Sequence, residues 1–556
     1  MYPEYMMESI KKVEATRSKR LELAKKHGKE VFPGMGEKER GDILENYHPD
    51  YHKNARREVR IGPNKGEKLT TKVADILESH PRIDPKKLNL DKVDFETDVL
   101  VIGAGSAGLS ASITSANNGS DVLIVTKLRL GDSNSMMAEG GIQAADQKDD
   151  SPYLHYLDAI GGGHFDNKPE LVEALVGDAP KSIQWLENLG VMFDKNPDGS
   201  MFVKAGGGTS RNRMHSARDY TGAGICRVLR DEVYNKPDKI KYIEYTAIVE
   251  LILNEKGDAV GAVAYHIDTK QYSIIKAKSI IISTGGFGRL HIEGFETTNH
   301  YGATADGLVL GYRAGAKLLY MDSVQYHPTG AVFPEQIIGF LCTEKIRTLG
   351  AQPVNKDGDL FVYPLEPRDV EASSFIRETE NDMGVTTPSG LKGIWLDSPL
   401  IDLIEGEGTM EKNLPAMVRQ FKRFDIDITK YPMLVFPTLH YQNGGIEIND
   451  KAESSIKGLY IAGEASGGVH GRNRLMGNSQ LDLIVFGRRA GKSASERAKT
   501  NPKLGKLSLE HVNKFEKEVE KLGIDKKQIS PVILPDYIPD HVKKRQLTSE
   551  FYGNMS

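Results

Sequence analysis

Short apolar runs that end in glycine recur along this chain. The first, Asp98-Val99-Leu100-Val101-Ile102, leads into Gly103-Ala104-Gly105-Ser106-Ala107-Gly108-Leu109-Ser110. An apolar, partly β-branched run, a glycine turn and small helix formers read as buried strand, tight turn and helix start. A second strand, Asp121 to Val125, follows the helix. Ser279-Ile280-Ile281-Ile282 runs on to Gly285-Gly286, and Leu459-Tyr460-Ile461-Ala462 ends at Gly463. Tyr245 to Leu253, Ala259 to Ile267 and Gln271 to Ala277 alternate like a small antiparallel sheet. Helical spacing covers Leu171 to Leu189, a stretch up to Val233 capped from Asp219-Tyr220-Thr221-Gly222, a helix opened by Ala305-Asp306-Gly307, and Leu481 to Ala494.

Residues 1–95 have a different texture, being polar and poor in strand-like runs. A helix is predicted from Met6 to Lys29, with Met7, Ile10, Val13 and Leu21 on an irregular apolar stripe, ended by Pro33-Gly34. His48 and His52 read as exposed loop histidines because Pro49 interrupts the helix. Arg56, Arg57 and Arg60 read as a solvated basic face or a subunit contact. A short helix is expected from Val73 to Leu77. The whole extension is expected to pack on a partner or on the core. From 348 to about 431 the pattern is irregular and polar, as in an inserted domain. Residues 500–556 hold one charged helix and scattered prolines (Pro531, Pro535, Pro539), and read as an arm.

Composition narrows the function classes. A chain of 556 residues buries a large core and divides into two or three domains. Net charge is −4, which gives no global field for nucleic acid. Two cysteines, Cys226 and Cys342, exclude a disulfide framework, and without CxxC the chain carries no ordinary cysteine-ligated iron–sulfur cluster. No apolar run reaches bilayer length, and the N-terminus lacks a signal-peptide pattern. A cytoplasmic location is expected, with any membrane association made through partners.

The glycine turn gives the first chemistry. Gly103 permits the turn, Gly105 lets a pyrophosphate approach the backbone, and Gly108 lets helix and strand pack closely. The helix start then offers free N–H groups and a positive dipole end. The acid that often ends the second strand of an NAD site is replaced by Thr126-Lys127, which weakens a generic NAD assignment.

Further motifs follow in order: AEGG at 138–141, STGG at 283–286, QYHPTG at 325–330, TEKIR at 343–347, EPRD at 366–369, HYQNGG at 440–445, AGE at 462–464 and RNRLMGNS at 472–479. Together with GAGSAG at 103–108, this ordered set resembles the flavoprotein subunits of fumarate reductase and succinate dehydrogenase, with L-aspartate oxidase a close cousin. The resemblance covers about 96–497. It implies an α/β fold: a discontinuous, Rossmann-like FAD-binding domain (96–325 and 432–499), an inserted α+β capping domain (326–431), an N-terminal extension (1–95) and a C-terminal arm (500–556).

It also implies site residues. FAD contacts would come from Gly103, Gly105, Ser106, Ala107, Gly108, Thr126, Lys127, Ser133, Asn134, Ala138, Gly140, Gly141, Ala247, Thr284, Gly285, Asp306, Glu464, Arg474, Asn478, Ser479 and Leu481. His327 with Thr343 would hold one carboxylate of a dicarboxylate, and His440 with Arg474 the other. Arg368 would donate a proton, reloaded through Glu344 and Arg347. The implied activity is fumarate–succinate interconversion, with electrons from an iron–sulfur partner subunit. L-aspartate oxidation, or a substituted succinate as substrate, is the alternative. The loop Lys204-Ala205-Gly206-Gly207-Gly208-Thr209-Ser210 lacks the acid that would meet an aspartate ammonium.

Two departures matter. Covalent members attach the flavin through a histidine before AEGG; Asn134 stands there, so FAD is expected to be non-covalent, which leans the enzyme towards fumarate reduction. The long C-terminal helical region of the membrane-complex flavoproteins is also replaced by a short tail, while an extension appears at the N-terminus.

Overall fold

The computed structural model describes residues 2–28 and 30–535; Lys29 and Pro539, both named above, lie outside them. Helix α1 (Glu4–His27) buries Met6, Ile10 and Val13 at i, i+4 and i+7, with Arg20 and Ala24. Met7 and Leu21, placed on the stripe from sequence, are only half-buried. The buried face enters a core that contains Phe333, Trp395 and Met433, and each fully buried apolar side chain contributes about 1.5–3 kcal/mol. Arg17 and Arg20 both reach the buried Asp397, each at 2.8 Å. Helix α2 (Glu37–Tyr47) follows, then α3 (Thr71–Leu77), whose Val73, Ala74 and Leu77 enter a different core with Val101 and Ile281. The extension therefore packs on the chain's own core, and on three parts of it, since Ile83 enters a further cluster with Val249 and Val263.

Two expectations within the extension are corrected. His48 is buried rather than exposed: Pro49 starts a single 3₁₀ turn that folds the ring against Tyr326, with centroids 5.6 Å apart. Arg57 and Arg60 are not free charges: Arg60 is exposed and Arg57 half-buried, but both converge on the buried Glu78.

Strand β1 (Phe95–Ile102) enters α4 (Ser106–Asn117) through the glycine turn. β2 (Val122–Val125) and β3 (Ile240–Ile243) continue the parallel set, in register Val101↔Ile124 and Ile124↔Tyr242. β4 (Thr246–Leu253), β5 (Ala259–His266) and β6 (Tyr272–Ile282) form an antiparallel meander. β6 is one strand where the sequence suggests two. Lys276 and Lys278 keep its period of two and reach Glu96 at 3.2 Å and Asp98 at 2.9 Å on β1. β6 also lies parallel to β1, with Ile281↔Val101.

Helix α5 (Asp306–Arg313) leads to a second, antiparallel sheet. Its strands β7 (Val324–Ala331), β8 (Gln352–Val354), β9 (Lys392–Asp397) and β10 (Met433–Gln442) are ordered β7-β10-β9-β8. Helix α6 (Arg368–Glu380) lies between β8 and β9 in sequence. Thus the stretch that reads as irregular contains a packed sheet, and β10, expected after a boundary at 431, pairs with β7 and β9. The chain then returns to the first sheet: β11 (Leu459–Ile461) lies parallel to the end of β6, with Ile281↔Tyr460. Helix α7 (Asn478–Lys499) crosses α4 closely at Gly491, where an added Cβ would meet the Ala111 backbone at 3.0 Å or less. Helix α8 (Glu510–Lys521) buries Val512, Phe515 and Val519. Ile529–Ser530 then pairs with His80–Pro81, fastening the arm to the extension.

Candidate active site

The ends of β1, β2, β6 and β11 open on one cavity. Strand ends that gather at a crevice of an open α/β sheet are where such folds bind nucleotides. Of the expected cofactor residues, Gly103, Gly105, Ala107, Thr126, Lys127, Ser133, Asn134, Ala138, Ala247, Thr284, Gly285, Asp306, Glu464 and Ser479 line it. Ser106, Gly108, Gly140, Gly141, Asn478, Leu481 and Arg474 do not. A Cβ on Gly108 would stand 2.6 Å from Ser283 Oγ. Gly140 faces Met476 and Gly141 faces Met214, so this pair packs on protein. Asn478 Oδ1 meets His155 Nε2 at 2.9 Å, and Leu481 is wholly buried.

The residues present fit FAD. Gly103 takes φ +104°, and an added Cβ there would come within 2.8 Å of the Ser283 backbone. Gly105 then leaves the start of α4 open to the cavity, where the first N–H groups of a helix suit phosphate. The acid missing at 126–127 is present in space: Asp306, at the start of α5, meets Lys127 Nζ at 2.7 Å. Asn134 is fixed at both ends, accepting from His300 N at 2.6 Å and donating to Asn299 Oδ1 at 2.7 Å. Thr298, Asn299 and His300 also line the cavity. Sequence reasoning passed over them because they lie in a loop without periodicity or motif.

Beside the cavity lies a buried cluster of cations and imidazoles. The rings of His327, on β7, and His440, on the adjacent β10, are 4.9 Å apart. His327 Nδ1 accepts from Thr329 N at 3.2 Å, which leaves the neutral ring's proton on Nε2. His440 Nδ1 and Thr298 Oγ1 are 2.7 Å apart, and His440 lines the cavity. Burial, reinforced by Arg368 and Arg474, holds both histidines well below their ordinary pKa and so neutral. Thr343 is buried, and its Oγ1 accepts from Lys345 N at 3.4 Å.

Two arginines converge on a single oxygen. Gln325 Oε1 accepts from Arg368 Nη1 at 3.0 Å and from Arg474 Nη2 at 2.9 Å. Arg474 is buried and also donates to Ser479 Oγ at 3.0 Å; among the described residues no carboxylate lies within ion-pair distance of it. Burial and the nearby Arg368 bring its pKa down to about 9. A buried guanidinium with no counter-ion is costly unless an anion joins it. Gln325 belongs to QYHPTG, but nothing in that motif alone marks it out.

Arg368, at the first turn of α6, donates through Nε to Glu344 Oε2 at 2.7 Å. Glu344 Oε1 accepts from Gly207 N at 2.9 Å, and Arg347 Nη2 stands 3.5 Å from Glu344 Oε2. Burial would raise Glu344, but the two arginines outweigh it and hold the carboxyl below its ordinary range. Arg347 also bonds Glu371, a buried residue that sequence reasoning missed.

The nucleotide cradle and the cationic pocket beside it define a flavin-dependent oxidoreductase. The FAD binding domain family matches residues 98–480. A fumarate reductase flavoprotein subunit from Mycobacterium tuberculosis is 35% identical over 427 residues, 73% of this chain and 71% of its own. An L-aspartate oxidase from Nostoc sp. is 35% identical, over 72% of this chain and 69% of its own. A solved variant of E. coli quinol fumarate reductase superposes with a TM-score of 0.69 at 31% identity, covering 77% of this chain and 74% of that one. The chain belongs to the FAD-dependent fumarate reductase/succinate dehydrogenase flavoprotein family, to which L-aspartate oxidases are related.

Proposed function

We propose that the protein reduces fumarate to succinate. The observation that carries this is the convergence of Arg368 and Arg474 on Gln325 Oε1, beside two neutral histidines and a nucleotide cradle. FAD, when bound, supplies hydride from N5. The chain's own residues do the rest. His440 and Arg474 hold one carboxylate; His327, with Nε2–H as donor, and Thr343 hold the other. These donors favour the negative charge that grows on the substrate as its double bond is reduced. Arg368 gives a proton to the second carbon. An arginine ordinarily keeps its proton, so loss must be favoured by the nearby Arg474 and Arg347 and made good through Glu344.

The residues around Asn134 support non-covalent FAD: its amide is fully engaged and offers no nucleophile. An iron–sulfur partner is proposed as electron donor, in keeping with relatives named as flavoprotein subunits. No described helix is long and apolar enough to cross a membrane. The division into a flavin domain, a capping insert from about 326 and two terminal extensions is likewise proposed.

The test is fumarate reduction by the purified protein with reduced viologen as donor. Steady turnover is expected, and all flavin should appear in the supernatant after acid precipitation. L-aspartate should leave the flavin oxidised, since the loop at 204–210 has no carboxylate for an ammonium. Turnover with aspartate and none with fumarate would reverse the assignment.

A further inference from the structure

We propose that Glu371 is the outer proton station of the relay that serves Arg368, handing its proton to Arg347. This rests on the fumarate-reducing assignment above. Glu371 follows Arg368 by three residues on α6, so both side chains leave the same helix face. Arg347 stands between two carboxylates: its Nη1 bonds Glu371, and its Nη2, which makes no hydrogen bond, lies 3.5 Å from Glu344 Oε2. Its Nη1 also donates to the Pro364 carbonyl at 2.7 Å.

One observation argues against a plain ion pair. Glu371 is fully buried; Oε2 meets Arg347, while Oε1 has no partner. An ionised carboxylate buried with one oxygen unpaired in this way is costly, and a neutral carboxyl in the same place costs less. The charged groups that face it agree. Burial is the largest influence, opposed by Arg347, reinforced by Glu344 and Glu366 and opposed again by Arg368, and it pushes the carboxyl up to about 8. Glu366, whose charge acts on Glu371, is itself buried, and its Oε2 accepts from Arg40 Nη2 at 2.8 Å on the half-exposed face of α2.

The proton inventory closes. An N–H bond of Arg368 breaks as a C–H bond forms on the substrate. Arg347 passes a proton to Glu344 and Glu344 to Arg368, and the O–H of Glu371 restores Arg347. Glu371 is left as carboxylate and regains a proton from water. No protein group changes oxidation state.

The test is the pH dependence of fumarate reduction by the wild-type, Glu371→Gln and Glu366→Gln holoenzymes. Wild-type kcat should fall as pH rises past about 8. Glu371→Gln keeps the shape and the bond to Arg347 but has no proton to give at this point. Its kcat should fall at least about tenfold, with that limb lost and a larger solvent isotope effect, while KM and flavin content hold within twofold. Glu366→Gln removes a negative neighbour, so the limb should move to lower pH. This second variant also decides the matter if the first does not fold. Wild-type rate and profile in Glu371→Gln, or an unmoved limb in Glu366→Gln, would overturn the inference. Absence of wild-type fumarate reduction would instead overturn the assignment on which it rests.

Discussion

Substituting Gly108 by alanine isolates the glycine turn as the device that holds the cofactor. The added Cβ would stand 2.6 Å from Ser283 Oγ, and closer still to the Gly103 carbonyl oxygen. It falls about 0.8 Å short of the 3.4 Å at which ordinary contact begins. Neither neighbour can yield, since one is backbone and the other bonds Ile102 O at 3.0 Å. Helix α4 must therefore ride outward from β1 and β6. Overpacking of this kind costs about 1–3 kcal/mol of stability. The same movement carries the α4 N-terminus away from the pyrophosphate. Two hydrogen bonds to a charged group, at about 1.5–3 kcal/mol each, would be strained. FAD affinity should fall by about tenfold to a hundredfold, read by fluorescence quenching on deflavinated protein. Gly119→Ala is the control: it lies just past the other end of α4 at φ +89° with nothing within 4 Å. It should cost about 1–2 kcal/mol of stability and leave FAD affinity alone. Gly108→Ala binding FAD within twofold of wild type would refute the reasoning.

Arg368→Lys keeps the charge but cannot span Glu344 and Gln325 together; kcat for fumarate should fall about a hundredfold or more, with KM little changed in steady-state assays. Asp397→Ala leaves Arg17 and Arg20 facing a buried site without their counter-ion. It should cost about 3–5 kcal/mol in denaturant titration and expose α1 to proteolysis. His164 Nε2 meets Asp369 Oδ2 at 2.7 Å, and that bond raises the imidazole pKa. A raised histidine contributes stability fully below its unfolded value near 6.5 and loses it as pH rises through the folded value. His164→Ala should therefore flatten the decline in stability above about pH 6.5, measured by thermal melts across pH.

Legibility from sequence followed the range of the forces involved. β1, the turn and α4 are local: period, glycine and small helix formers stand side by side in sequence, and the structure keeps them. The candidate shell was visible only as separate motifs, because His327, His440, Arg368 and Arg474 meet across strand pairing that no window of sequence contains. Glu371 and Gln325 were missed for a related reason. Each owes its interest to partners far along the chain, and an isolated glutamate or glutamine on a helix or strand reads as ordinary. The insert read as irregular because β8 is only three residues long and β10 is buried on both faces, so neither alternates.

The extension was the least legible part, and its packing shows why it matters to the site. Charged residues are abundant in its composition, yet its few apolar side chains are spread over three cores, two of which border the site. Met6, Ile10 and Val13 enter the core around Trp395; Val73 and Leu77 enter the one around β1 and β6. Between these anchors the chain passes the loop that precedes Arg368 and α6. Met35 N donates to Glu366 Oε1 at 2.6 Å and Arg40 to Glu366 Oε2, so both oxygens of the residue two before Arg368 are held from the extension. A little further on, Asp50 Oδ2 accepts from Val324 N at 2.9 Å, at the start of the strand that bears Gln325 and His327. The same segment thus braces the approach to α6 and the head of β7, the elements that bring Arg368 and Gln325 within hydrogen-bonding distance. Segments fixed to two cores at once resist relative displacement, and the convergence of two guanidinium groups on one oxygen tolerates little of it.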